Sequence, residues 1–242
     1  MSKKALVTGS SRGIGRAIAL SLAKDGYAVF VHCAGNIKKA EEVKALIQNM
    51  GGTAHTIKAN LCDINETKEI IEKTGGVDVL VLNASVQYRK KWDEITEEEF
   101  YDQVNCNYLS SLVLIQKAVP FMKKNGWGRI ITIGSVQETK PHPDMLVYSS
   151  SKCAQTAMAK SLALQLAKTG ITVNNVAPGV IVTDRNTEAL SNEEYLGKVL
   201  SSIPMGYCGE AEDCAGIVRM LCTDEARYIT GQNIFVDGGK GL

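Results

Sequence analysis

The stretch Tyr148-Ser149-Ser150-Ser151-Lys152 sets a phenol and an ammonium four residues apart. On a helix that spacing stacks both side chains on one face. A cation beside a phenol favours the phenolate, so the tyrosine exchanges its proton more readily. The chemistry on offer is general acid/base catalysis. In a chain with 8 tyrosines and abundant lysine the spacing also arises by chance, so the pair needs support from elsewhere. The three serines between read as small packing residues.

Support comes from the N-terminus. An apolar run at 4–8 leads into Thr8-Gly9-Ser10-Ser11-Arg12-Gly13-Ile14-Gly15 and then into a helical pattern. Gly9, Gly13 and Gly15 permit a tight turn, a close backbone approach to a pyrophosphate and close helix–strand packing. A helix N-terminus then offers its N–H groups to the phosphates. Cofactor choice follows from the next strand, which ends in His32-Cys33-Ala34-Gly35-Asn36. An acid near that point would bond a free ribose 2′-hydroxyl, but the first is Glu41, already inside the next helix. Arg12 suits a 2′-phosphate. Both features favour NADP, with NAD the alternative. Arg12 has a second reading as a solvated loop cation, and His32 as a plain strand-end residue.

Positioning these groups takes alternating elements. Strands are predicted at 4–8, 28–32, 53–58, 77–82, 129–134, 171–176 and 233–237, several as near-continuous Val/Ile/Leu, as in strands buried on both faces. Helices are predicted at 14–25, 37–50, about 100–124 and 147–168, two of them closed by Asp25-Gly26 and Gly51-Gly52. The alternation predicts an α/β fold: one doubly wound (Rossmann) domain over 1–242, a seven-stranded parallel sheet with helices on both faces. Charge is balanced, 27 basic against 26 acidic residues, which argues against a nucleic-acid or membrane surface. No apolar run approaches the roughly 18 residues of a membrane span, and no leader pattern opens the chain. Seven scattered cysteines without C-x-x-C, and three histidines, argue against a metal site and fit a reducing, cytoplasmic setting.

Taken together, these motifs resemble the short-chain dehydrogenase/reductase family along nearly the whole chain. Beside the glycine loop and the Tyr148/Lys152 pair stand Leu82-Asn83-Ala84-Ser85, Asn107, Ser135 thirteen positions before Tyr148, Pro178-Gly179 with Thr183, and the closing 229–239 segment. The resemblance implies a catalytic set of Asn107, Ser135, Tyr148 and Lys152. Tyr148 is the expected acid/base, with its pKa lowered by Lys152. Lys152 also bonds the nicotinamide ribose, Ser135 bonds the substrate oxygen, and Asn107 anchors a water leading from the lysine to solvent. Expected cofactor contacts are Gly9, Ser11, Arg12, Gly13, Ile14, Gly15, Asn60, Leu61, Asn83, Ala84, Tyr148, Lys152, Pro178, Gly179 and Thr183. Ser85 replaces a family glycine, and Asn60 stands where many relatives carry an aspartate. The family also implies a homo-oligomer, tetramer or dimer, built on the two long helices.

The expected substrate is a small carbonyl or alcohol. Ser135-Val136-Gln137-Glu138, Pro141-His142-Pro143 and Thr183-Asp184-Arg185-Asn186 resemble glucose 1-dehydrogenases, with Gln137, Glu138, His142 and Asn186 as candidate sugar contacts. His142 otherwise reads as a loop histidine between prolines. The second-strand end and the length resemble 3-oxoacyl-acyl-carrier-protein reductases, for which Arg89, Lys90, Lys91 and Arg129 offer a basic mouth or merely a solvated face. The sequence leans to the sugar. A catalytically inactive dinucleotide-binding protein is the remote alternative, disfavoured by the intact tyrosine and lysine.

Overall fold

The seven apolar runs become β1 (Lys4–Val7), β2 (Ala28–Cys33), β3 (Ala54–Lys58), β4 (Val79–Leu82), β5 (Gly128–Ile133), β6 (Ile171–Pro178) and β7 (Asn233–Val236). They form one parallel sheet in the order β3-β2-β1-β4-β5-β6-β7 in this computed structural model, which describes residues 2–242. Pairing runs in simple register, with Val7 between Val31 and Val81. Within β1, Ala5 and Val7 pack into one helical layer and Leu6 into the other. Side chains of central strands are therefore buried on both faces, and this is why the runs read as continuous rather than alternating.

One layer holds α1 (Gly13–Lys24), α2 (Ile37–Asn49) and α9 (Ala211–Leu221), with Ile18, Leu22, Ile47 and Val218 in its core. The other holds α3 (Ile64–Thr74), α5 (Ser110–Asn125) and α6 (Leu146–Leu166), around Ile70, Leu114, Met122 and Met158. The helix predicted over about 100–124 is interrupted. It runs as α4 (Glu97–Val104), a π-helical turn at Asn105–Leu109, and then α5. Hydrophobic periodicity does not reveal one wide turn. Two short helices, α7 (Thr187–Leu190) and α8 (Glu193–Ser201), form a flap after β6 that the sequence pattern left unassigned. No helix among the described residues is long and apolar enough to cross a membrane.

Arg129 sits at the start of β5, the end of the sheet away from the glycine loop. It is 2% exposed and bonds the carboxylate of Asp224 at 3.2 Å. The expectation of Arg129 in a basic mouth is thus corrected. A strand-start side chain points to the opposite end of a parallel sheet from the strand-end loops.

Candidate active site

Between β1 and β4 the strand order reverses, and a cleft of about 630 Å³ opens at the carboxyl ends of the strands. In an open α/β sheet this is where ligands bind. The glycine loop forms one wall. Gly9 has φ +64° and Gly13 φ +53°, angles a side chain rarely adopts. A Cβ on Gly15 would lie 2.5 Å from the Asn83 amide nitrogen and from the Gly9 carbonyl. Asn83 itself donates to the Thr8 and Gly9 carbonyls at 2.8 and 3.2 Å, so its side chain holds the loop. No side chain caps the first turn of α1, leaving N–H groups and the positive dipole end facing the cleft. These features fit a dinucleotide pyrophosphate.

His32 is a structural strut. Its Nδ1 accepts from the Gly9 N–H at 2.9 Å and its Nε2 donates to the Ala59 carbonyl at 3.0 Å. Burial holds it neutral, with its pKa lowered to about 4. Near the end of β2 the lining carries Arg12 and Lys39, and its acid, Asp184, comes from the segment after β6 and not from β2. Lys39, which reads in the sequence as part of a short solvated Lys38-Lys39 cluster, pairs with Asp184 across the mouth at 3.2 Å. Glu41 lies on α2 and is bonded to Thr56 and Lys44. Ser11, Ile14, Asn60, Leu61, Ala84 and Pro178 line the same cleft, as do Gly179 and Thr183. The Asn60 carboxamide oxygen accepts from the Cys62 N–H at 3.1 Å and so shapes its own loop.

Tyr148, Lys152 and Ser135 gather at the cleft floor. Tyr148 and Lys152 are one turn apart on α6, with the ammonium 5.7 Å from the phenol ring centre. Lys152 Nζ donates to the Ile133 carbonyl at 2.7 Å and to Gln155 Oε1 at 3.3 Å. Burial pushes its pKa down to about 8, with Arg185 acting in the same direction. The expected lowering of Tyr148 is not what the site produces. Burial raises its pKa, against the smaller opposing effects of the Arg185 guanidinium and the Ser135 hydroxyl. The physical reason is that a fully buried phenolate loses more hydration than a lysine several ångströms away restores.

Asn107 lies in the π turn with its side chain committed. Its Oδ1 accepts from the Val86 N–H at 2.8 Å, while Nδ2 donates to the Val86 carbonyl at 2.9 Å and to Ser151 Oγ at 3.0 Å. Ser151 therefore belongs to the site and is not mere packing. Ser149 Oγ donates to Gln137 Oε1 at 2.8 Å. The buried polar residues Ser111 and Gln155 also join the cluster. Their trace in the sequence is a glutamine on the apolar side of an Ala-rich helix.

The remaining candidates divide. Gln137 and Asn186 line the cleft, but Asn186 is spent on the Thr183 N–H and the Ile181 carbonyl. Glu138 turns inward to the Ser135 N–H, Asn175 and Asn233. His142 does not line the cleft and is held by Asp144 and Arg89. Arg89 and Lys90 are paired with Asp144 and Glu99. The flap residue Arg185, part of the 183–186 stretch but not named there as a contact, reaches across to Ser85 at 3.1 and 2.9 Å.

The chain matches the family model described as Enoyl-(Acyl carrier protein) reductase over residues 9–240. It is 42% identical to 3-oxoacyl-[acyl-carrier-protein] reductase of Staphylococcus aureus, over 99% of this chain and 98% of that protein. Its fold superposes with TM-score 0.94 on a 3-oxoacyl (acyl-carrier-protein) reductase from Agrobacterium tumefaciens C58 solved with NADP, at 33% identity over 98% of this chain and 93% of that one. A gluconate 5-dehydrogenase from Burkholderia cenocepacia, solved with NADP and tartrate, gives TM-score 0.91 at 27% identity over 99% and 96% of the two chains. With the parallel sheet, the glycine loop at its switch point and the Ser–Tyr–Lys floor, these matches place the protein in the short-chain dehydrogenase/reductase family of NAD(P)-dependent oxidoreductases.

Proposed function

We propose that the protein is an NADP-dependent carbonyl reductase whose substrate is a 3-oxoacyl thioester, carried on an acyl-carrier protein. The observation that carries the substrate reading is how few cleft polar groups remain free. Glu138 and Asn186 are spent on their own loops, and His142 stands outside the cleft. Beyond Tyr148 the walls include Val86, Met145, Val180, Ile181 and Tyr195. Such a lining suits an acyl chain better than an aldose with many hydroxyls to satisfy. The full-length similarity to 3-oxoacyl reductases supports the same choice. The sugar lean of the sequence becomes the second reading, kept by the likeness to a gluconate 5-dehydrogenase.

The glycine loop, Asn60–Leu61, Asn83–Ala84, Pro178–Gly179 and Thr183 would hold the dinucleotide, with Arg12 and Lys39 toward a 2′-phosphate. NADPH, when bound, supplies the hydride. Tyr148 gives its proton to the carbonyl oxygen, and Ser135 bonds that oxygen as charge develops on it. A raised tyrosine pKa suits a proton donor in the reducing direction, because the phenol stays protonated at neutral pH. Lys152 holds a positive charge beneath the phenol and offers its remaining N–H to the ribose. Asn107 ties the π turn to Val86 in the loop after β4. The whole chain acts as one domain in a cytoplasmic homo-oligomer, packed through α5 and α6.

The test follows absorbance at 340 nm in two assays. NADPH is offered with acetoacetyl thioester, and NADP⁺ with a panel of aldoses and sugar acids. Thioester turnover is expected. Turnover of a sugar acid alone would overturn the substrate reading and leave the reaction class intact.

A further inference from the structure

The polar groups around Lys152 close into a ring spanning two helices. Gln155, one turn beyond Lys152 on α6, is 0% exposed and neighbours the apolar Met158–Ala159 side of the helix. Its Oε1 accepts from Lys152 Nζ at 3.3 Å, and its Nε2 donates to Ser111 Oγ at 2.9 Å. Ser111 Oγ donates to the Asn107 carbonyl at 3.3 Å. Asn107 Nδ2 donates to Ser151 Oγ, which donates to the Tyr148 carbonyl at 2.7 Å. Donors and acceptors alternate consistently. A lysine ammonium only donates, so it fixes which way the amide points. A flipped amide would set two donors against each other.

We propose that Gln155, backed by Ser111, is a positioning residue that holds the Lys152 ammonium under the tyrosine and ties it to the Asn107 turn. This rests on reading Tyr148 and Lys152 as the acid/base pair. Gln155 is the only side-chain acceptor for Lys152 among the described residues. The titratable and charged groups near the lysine are Tyr148 on its own helix, Arg185 from the flap, Cys106 from the π turn and Glu138 from the turn after β5. None forms an ion pair with it. A buried cation without a carboxylate depends on neutral acceptors to stay charged. An unsatisfied glutamine in this apolar layer would otherwise be costly, so the ring also explains why the amide is tolerated there.

The test compares Gln155→Leu, Gln155→Glu, Ser111→Ala and the double variant Gln155→Leu/Ser111→Ala with wild type. Two quantities are read: the pH profile of acetoacetyl-thioester reduction and the NADPH dissociation constant from cofactor fluorescence. With leucine, the alkaline limb moves about one pH unit lower, and kcat at pH 8 falls about fivefold. NADPH binding weakens about fivefold as the lysine drifts. With glutamate, a carboxylate stabilises the ammonium and the limb moves above that of wild type. Ser111→Ala shifts the limb downward by less, and adds nothing in the leucine background. Equal shifts for leucine and glutamate, no shift in either, or full additivity with Ser111→Ala would overturn the proposal. Should the leucine variant fail to fold, opposite shifts for glutamate and Ser111→Ala sustain the proposal, and any other pattern defeats it. Tyr148→Phe is run alongside. If it keeps its activity the acid/base reading fails, whereas the fluorescence constants still report on the lysine.

Discussion

Two cations are tied to opposite ends of β5, and both are nearly excluded from water: Arg129 at 2% exposure and Lys152 at 1%. Arg129 has four of its five N–H donors bonded. Its Nε bonds the Thr223 carbonyl at 3.3 Å, one terminal nitrogen bonds the Gly128 and Gly170 carbonyls at 2.9 and 3.3 Å, and the other bonds Asp224. Its plane lies 4.2 Å from the Trp127 ring centre. Lys152 has no carboxylate and no stacking partner of that kind. It meets one carbonyl and one amide, which leaves one N–H facing the cleft. A buried cation bonded to a carboxylate and stacked on an indole is a staple, holding the β5 start to the turn after α9. One without a carboxylate, at a strand's carboxyl end and lining a cleft, is equipped for chemistry. Burial is the same in the two cases, and the difference lies in the partners and in the end of the strand at which each cation stands.

The most severe way to break this contrast is at the phenol that Lys152 serves. Tyr148→Phe is expected to lower kcat about 10³-fold, in line with the loss of a positioned proton donor, with NADPH affinity by fluorescence unchanged. Activity near wild type would remove the chemistry from this end of the strand.

Methionine at each cation sharpens it further. Arg129→Met removes four hydrogen bonds and the ion pair to Asp224, and should cost about 3 kcal/mol in urea unfolding with kcat retained. Lys152→Met removes a cation that burial disfavours. It should gain on the order of 2 kcal/mol at neutral pH while kcat falls at least a hundredfold. Stability changes of the same sign would erase the distinction.

Stability against pH tests the same lysine. Its folded pKa is lowered to about 8 from the ordinary lysine value of 10.5. Below pH 8 both states carry the proton and the burial penalty is fully present. Between pH 8 and 10.5 the unfolded chain binds more protons, so the lysine contributes stability that rises with pH. That rise should appear as the difference between wild type and Lys152→Met in unfolding titrations, and a flat difference would contradict it. The smallest effect belongs to Arg185→Ala. The guanidinium favours the ionised form of Tyr148, so its removal should raise the apparent tyrosine pKa in the pH profile.

The sequence by itself determined a good deal of this protein. All seven strands were legible, with ends displaced by two residues or fewer. The glycine loop and the Tyr148/Lys152 pair were legible too, because period, turn residues and short spacings are local properties of a chain. Tertiary structure decided the rest. Gln155 meets Ser111 and Asn107 meets Ser151 across 44 positions each. Arg129 meets Asp224 across 95. Glu138, which resembled a sugar contact, is drawn inward by Asn175 and Asn233, and His142 is drawn outside the cleft by Arg89 and Asp144. A polar residue's type states what it can bond, but which partner it meets depends on helices brought together by the apolar core. For that reason the proposed catalytic positions could be read in order along the chain, while the groups that hold them, and the groups left free for a substrate, appear only once the layers have packed.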